Sequence, residues 1–549
     1  MKRLMILSLG SCLLCASCAK SSPIRLHVNP DVQRPTKSVI LFFVDGLDHD
    51  RFQALLSDGK LPNIKQRFVD GGVRVEHAIT SIPSMTYPNT VSLFTGRFPG
   101  HHDVTGNQWF DRRTLAYPNY ITATEYSAVN HHFHWPTLYE MLPDQFSVNI
   151  LGNVARGATY NVDYHVTEGV GWYLGWYSRV DELTAGCLED VGRLANRVGR
   201  WPSLITMYFI GVDQIGHDAG SNSAAYAEGL RGIDRQIGRV YEALDRNGLS
   251  DSTYGILITD HSHTPTHKDK TLDLVCWLRD HRGIKIHEGR VYGDDYADRS
   301  QELKRYDAVI VDGSFRRIVL HLRGNQGWFV KPSRDEIDGI LASPTSNKPL
   351  RDLDGVGLIC TSPGPNHVRI TSRRGDASVL RRSERGTMQY RLDVENASTT
   401  APADPLGYRA DPELRSFVDA GWHSSREWLA ATAQNKYPDF VPQVVEYFDS
   451  IRAGELLIFA EEGWAFSGHG RGEHGAALAA DMRIPMFVAG PGLPKGTSIP
   501  CGRIVDVVPT VIDLLGRYDA LKDVPTLDGV SLLPQLRTAG GTELISPNQ

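Results

Sequence analysis

A chain of 549 residues with 41% hydrophobic and 22% charged side chains holds enough apolar material for a large core, which excludes a disordered protein. Its net charge of −6 at pH 7 offers no basic track for a nucleic-acid strand and no polybasic patch for a membrane. The length allows several domains or one large α/β core with insertions.

Lys2 and Arg3 precede a short apolar stretch that ends in small residues at Ala16-Ser17-Cys18. This reads as an export signal over 1–19, too short to span a bilayer. Ala16-Ser17-Cys18 fits a lipoprotein cleavage box, which would leave a lipid anchor at Cys18. Cys15 stands where an aliphatic residue is usual, and ordinary cleavage after Ala19 is the alternative. The expected location is therefore outside the cytoplasm, periplasmic or membrane-anchored. Cys187, Cys276, Cys360 and Cys501 are too scattered for a zinc ribbon, and one or two disulfides or four isolated thiols fit equally.

After a polar linker at 20–36, the apolar run 38–44 predicts a buried strand that stops at Asp45. Helices are expected over 50–56 and 62–68. Residues 81–96 read as a loop and then a helix, with Pro88 in its first turn and Gly96 at its end, so Thr86 sits at a helix N-terminus. A helix over 135–142 and a strand over 146–151 follow. The aromatic cluster Trp172, Tyr173, Trp176, Tyr177 reads as core or lid packing in preference to a nucleobase platform. Strands at 204–212 and 254–259 end at Asp213 and Asp260, with a helix over 224–247 as the crossover between them.

From 271 to 450 the alternation of strand and helix breaks down, which predicts an inserted α+β subdomain or lid. The catalytic core thus comprises 37–270 and 451–540. Its second part is expected to start with a strand at 454–460 and to finish with an amphipathic helix at 504–516. The whole reads as an α/β fold with a mostly parallel central sheet sandwiched by helices.

Open α/β sheets place ligands beyond the carboxyl ends of their strands, so Asp45, Asp213 and Asp260 can face one crevice. Three converging carboxylates repel unless cations lie between them. Asp213-x-x-x-His217 spaces two ligands one helical turn apart or across a tight loop, and His261 follows Asp260 directly. Carboxylate with imidazole suits zinc-like ions. Taken singly, each of these residues could be a helix cap or a core histidine; their order after successive strands argues for a set. Gly470 to Gly475 spells G-x-G-x-x-G, but no βαβ unit surrounds it and no dinucleotide fold is implied.

The chain resembles the alkaline phosphatase superfamily, and within it the type I phosphodiesterase/nucleotide pyrophosphatase group. The resemblance rests on Val44-Asp-Gly, Pro83-Ser-Met-Thr-Tyr-Pro-Asn-Thr, Thr95-Gly-Arg-Phe-Pro-Gly, Asp213-Gln-Ile-Gly-His, Thr259-Asp-His, His474-Gly and Asp506-Val-Val-Pro-Thr. It implies an alkaline-phosphatase-like core and two divalent metal ions, zinc by family expectation. One ion would be held by Asp45, Thr86, Asp260 and His261, the other by Asp213, His217 and His474. Thr86 would be the nucleophile and Asn107 a donor to a phosphate oxygen. His469 also precedes a glycine, but the spacing to Asp481 and Ile484-Pro485 favours His474.

The function so implied is hydrolysis of phosphodiester or phosphoanhydride bonds through a phospho-threonine intermediate. The substrate would be small and phosphorylated, a nucleotide among the candidates. A phosphomonoesterase on the same scaffold is the alternative, and a non-catalytic surface binding protein a weaker one. Ala155 stands where a monoester clamp would place a lysine, which favours diesters; Arg156 beside it reads equally as a phosphate contact or a structural ion-pair residue. The oligomeric state is left open.

Overall fold

The computed structural model describes residues 22–539 apart from 123–124, 315, 342–347, 383–385, 394–403, 467–469, 523 and 525. The signal segment 1–19, Cys18 and His469 lie outside the described residues.

Two large sheets organise the chain. The first is built on β1 (Ser38–Val44), β2 (Gly72–Ile79), β3 (Ser147–Ile150), β4 (Tyr160–Val162), β5 (Leu204–Phe209) and β6 (Thr253–Ile258). β7 (Met486–Ala489) and β8 (Thr497–Arg503) complete it, with a short Arg483–Ile484 strand on β2. β1 lies between β5 and β6 and is parallel to both, whereas β7 runs antiparallel between β6 and β2. Every residue of β1, β5 and β6 is buried, as expected of central strands covered on both faces.

Helices form those two faces. α1 (Thr86–Thr95) packs on one side, in the cluster with Val39, Leu41 and Phe43. On the other, Ile40, Phe42 and Val44 meet α6 (Ala224–Arg246), the crossover between β5 and β6. The alternation of β1 side chains between two clusters is the period-two signature of a strand inside a three-layer sandwich. α3 (Tyr177–Gly186) and α5 (Gly211–Ala219) pack on α6, α2 (His165–Tyr173) packs on α3, and α4 (Leu188–Val198) joins the same apolar cluster. The fold class is the α/β one expected.

Several readings change. The helix expected over 135–142 shrinks to Leu138–Met141, opened by a Thr137/Glu140 capping box. The helix expected at 504–516 spans Val507–Leu514, is followed by another at Leu533–Thr538, and is buried along its whole length, so it is a core helix and not an amphipathic one. The strand Leu456–Ala460, expected in the core, pairs instead with Arg317–Leu322 and Val356–Gly364 in the second sheet. That nine-stranded sheet is mostly antiparallel and takes its other strands from residues 286–424. Cys187, Cys276, Cys360 and Cys501 are free thiols. Among the described residues no helix is long and apolar enough to cross a membrane.

Candidate metal centre

Asp45 and Asp260 sit just past the ends of β1 and β6, whereas β5 stops at Phe209, short of the 204–212 expected, and Asp213 lies in the first turn of α5. Asp45 follows β1, and its N–H donates to Phe209 at the end of β5, 2.8 Å away. Gly46 then turns the chain at φ +64°, and a Cβ at this position would lie 2.5 Å from Asp213 Oδ1. A glycine is therefore what lets the Asp45 turn and the start of α5 approach one another. Asp213 and His217 occupy consecutive turns of α5, with His217 Nε2 3.4 Å from Asp213 Oδ2. Of the two geometries the spacing left open, the helical one holds. α5 has no capping side chain of its own at Ile210; Asp181 of α3 accepts from Gly211 N–H at 2.9 Å instead.

Thr86 is the first residue of α1, whose far end is closed by Gly96 in the left-handed region. Buried Asn89 ties down the loop before it, accepting from Ser81 N–H and donating to Pro83 and Met85 carbonyls. Thr86 Oγ1 lies 3.3 Å from His261 Nε2. Asn107 Oδ1 accepts from Tyr87 N–H at 2.9 Å, so the amide stands beside Thr86 with its NH₂ end not engaged by that bond.

The three expected histidines share one arrangement. His261 Nδ1 lies 3.0 Å from the Ser262 carbonyl, His217 Nδ1 3.1 Å from that of Gly472, and His474 Nδ1 3.0 Å from that of Ser84. A carbonyl can only accept, so each Nδ1 carries a proton, and in the neutral ring that metal binding requires Nε2 holds the lone pair. Around His261 Nε2 lie Asp45 Oδ1 at 3.4 Å, Asp260 Oδ2 at 3.6 Å and Asp213 Oδ1 at 4.0 Å. Ligand atoms of Asp45, Asp260 and His261 fall within 4.8 Å of one another, as do those of Asp213, His261 and His474. The rings of His217 and His474 are 5.2 Å apart.

Asp45 Oδ1 and Asp260 Oδ2 are buried without a hydrogen-bond partner. Burial, and then the neighbouring Asp45, push the Asp260 carboxyl well above the usual carboxylate range. Such a cluster is costly by itself and fits divalent cations by its donor chemistry. All of Asp45, Thr86, Asp213, His217, Asp260, His261 and His474 are thus brought to one crevice.

The sequence reading missed His263. Its Nε2 lies 2.7 Å from Asp213 Oδ1 and its Nδ1 is buried without a partner. The ring is hemmed in by Gly216 and Gly472, where an added Cβ would come within 2.9 Å and 3.3 Å of it. The signal was the i, i+2 spacing of His261 and His263, which in extended chain returns a side chain to the same face. Tyr208, which donates its hydroxyl to Asp45, and buried Glu473, 3.2 Å from His217 Nδ1, were missed too. No spacing rule marks either. A short ladder pairing Thr264–Pro265 with Gly472–Glu473 sets His474 beside this loop.

Arg156 is a structural residue: it pairs with Glu140 at 2.9 Å, donates to the Asn130, Phe133 and Trp135 carbonyls and lies over the Phe133 ring. The aromatic cluster is not core either, since Tyr173 is 89% and Trp176 49% exposed.

The chain spans about half the length of several curated relatives it matches. An uncharacterized pyrophosphatase/phosphodiesterase of Schizosaccharomyces pombe is 25% identical over 250 residues, 44% of this chain and 47% of that one. Ectonucleotide pyrophosphatase/phosphodiesterase family member 7 of Mus musculus is 26% identical over 268 residues, 44% of this chain and 53% of that one. A bis(5'-adenosyl)-triphosphatase of Pongo abelii is 25% identical over 247 residues, 44% and 51% of the two chains. Murine ectonucleotide pyrophosphatase/phosphodiesterase 5 shares the fold, with a TM-score of 0.55 at 16% identity over 91% of this chain and 99% of that one. An inactive threonine-to-alanine variant of it, in complex with AMP, matches equally well in TM-score, 0.55, at 15% identity over 91% and 99% of the two chains. The profile of one family matches residues 39–334, more than half of the chain, and the protein belongs to that family, Type I phosphodiesterase / nucleotide pyrophosphatase.

Proposed function

We propose that this protein hydrolyses phosphodiester or phosphoanhydride bonds of small phosphorylated substrates, nucleotides among them, through a phospho-threonine intermediate on Thr86. One observation carries the reading: three imidazoles with their Nδ1 atoms tied to carbonyls turn Nε2 toward three buried carboxylates beside a helix-start threonine. Two divalent ions, zinc by family expectation, would be held by Asp45, Thr86, Asp260 and His261 and by Asp213, His217 and His474; when bound they supply Lewis acidity to hydroxyl and phosphate oxygens.

The chain's own residues do the rest. Thr86 Oγ1 loses its proton to solvent and attacks phosphorus, forming one P–O bond as the bond to the leaving oxygen breaks and that oxygen takes up a proton from solvent. The amide end of Asn107 and the N-terminal dipole of α1 stabilise charge on the phosphoryl oxygens. Water then attacks the phospho-threonine and returns the Thr86 hydroxyl. Ala155 carries no charge and Arg156 is engaged with Glu140, so neither supplies the extra cationic contact a monoester requires. This favours diesters.

Rates on bis(p-nitrophenyl) phosphate against p-nitrophenyl phosphate test the reading, with trapped phosphate on Thr86 as its second arm. Faster turnover of the monoester would select the phosphomonoesterase alternative. Residues 271–450 are proposed to select the substrate as a lid. Export and acylation at Cys18 are proposed from the signal, and the mass of the mature N-terminal peptide decides between acylation and plain cleavage after Ala19.

A further inference from the structure

We propose that the turn joining α2 to α3 is a membrane-contact surface that seats the anchored protein on a zwitterionic bilayer. This inference rests on the anchor reading for Cys18. Four apolar side chains project from one short segment: Val170 is 53% exposed, Tyr173 89%, Leu174 47% and Trp176 49%. Aromatic rings beside aliphatic chains suit the headgroup boundary of a bilayer, where tyrosine and tryptophan are enriched.

Charge narrows the partner. From Tyr164 to Ser178 the sequence has no Lys or Arg, and its one carboxylate, Glu168, is buried. The next basic residue, Arg179, faces Glu182 at 3.7 Å. The segment itself offers anionic lipid no cationic side chain, and the exposed Arg179 beside it is offset by Glu182, so the turn fits neutral headgroups.

The turn is held firmly on the body. Tyr177, just after it, donates to Asp218 at 2.9 Å, and Trp172 meets the Tyr177 ring edge-on. The turn is thereby fixed to the end of α5 that carries His217.

The second observation is where the chain enters. The Ser22 carbonyl accepts from Arg239 of α6 at 2.6 Å, and Arg25 N–H donates to Glu189 of α4 at 2.7 Å. Arg239 is 3.8 Å from Glu182 of α3, and Tyr164, just before α2, donates to Asp190 of α4. The entering segment and the exposed turn thus share the same small group of helices. Glu182 lies about 9 Å along α3 from Trp176. Between Cys18 and Ser22 the chain reaches at most about 14 Å. An acyl group on Cys18 would therefore hold the bilayer within reach of Tyr173, Leu174 and Trp176.

The test uses the full chain on vesicles of brominated phosphatidylcholine. Of ten tryptophans, Trp176 is expected to be quenched, so Trp176→Phe loses a quenched component of roughly a tenth of the emission. Tyr173→Asp is expected to weaken quenching several-fold while hydrolysis of a soluble diester stays unchanged. Equal quenching in the native protein and Trp176→Phe, or none in either, overturns the proposal. Failure of the phosphodiesterase reading would appear separately, as lost turnover with quenching intact.

Discussion

His263 Nε2 lies 2.7 Å from Asp213 Oδ1, while Oδ2 of the same carboxylate faces His217 at 3.4 Å. One oxygen is thus fixed by a buried imidazole, which sets the direction of the other. Groups of this kind typically change metal affinity by about 10–100-fold when removed. His263→Gln is expected to lower the affinity of one of the two metal positions by that factor, read by competition with a chromophoric chelator. Unchanged affinity at both would remove His263 from this role.

Thr86→Ala removes the proposed nucleophile and leaves the α1 backbone in place. Turnover should fall at least about a thousandfold, with far-UV circular dichroism unchanged, and Thr86→Ser should retain measurable activity. Full activity in the alanine variant would end the phospho-threonine reading.

Asn107 separates two roles in one side chain. Asn107→Asp keeps the acceptor that holds Tyr87 N–H and removes the amide donor. A loss of roughly 10²–10³ in kcat with an unchanged melting temperature is expected. A loss of stability without a loss of rate would make Asn107 structural only.

Asp181 gives a pH prediction. Burial raises its carboxyl to about 7, although Gly211 N–H donates to it. The folded value lies above the unfolded one, near ~4, so the neutral acid is the stabilising form. Its contribution is complete below that unfolded value and is lost as pH rises through about 7. Asp181→Asn stays neutral throughout. The melting temperature of the native protein minus that of the variant should therefore fall between acid and mildly alkaline pH. A flat difference would contradict the assignment.

Chelation should lower the melting temperature, and added zinc should restore it. A ligand at a thousandfold excess over its Kd stabilises by about 4 kcal/mol per site. An unshifted melt after complete stripping would argue against cations in the Asp45, Asp213 and Asp260 crevice.

Where a segment was buried on both faces, its sequence was easy to read. The runs ending at Asp45, Asp213 and Asp260 are apolar at nearly every position, and only a central strand or a core helix accepts that pattern. The same property misled at Leu456–Ala460: a fully buried run looks alike in either sheet, and its partners Arg317–Leu322 and Val356–Gly364 are far away in sequence. Val507–Leu514 was misread because its polar residues Thr510 and Asp513 are buried, as the sequence does not tell. Asp181 could not be found as the cap of α5, because a cap supplied from another helix leaves no local motif.

The order in which the chain visits its two sheets bears on how the protein matures. β1, β5 and β6 deliver three carboxylates early, the polypeptide then builds the second sheet through Ala460, and His474 comes back on a two-residue ladder afterwards. A ribosome-bound or clipped chain that stops short of that return holds mutually repelling acids without their last imidazole. On the proposed metal assignment, catalytic competence would arrive in one late step, and a fragment ending before His474 would not inherit it.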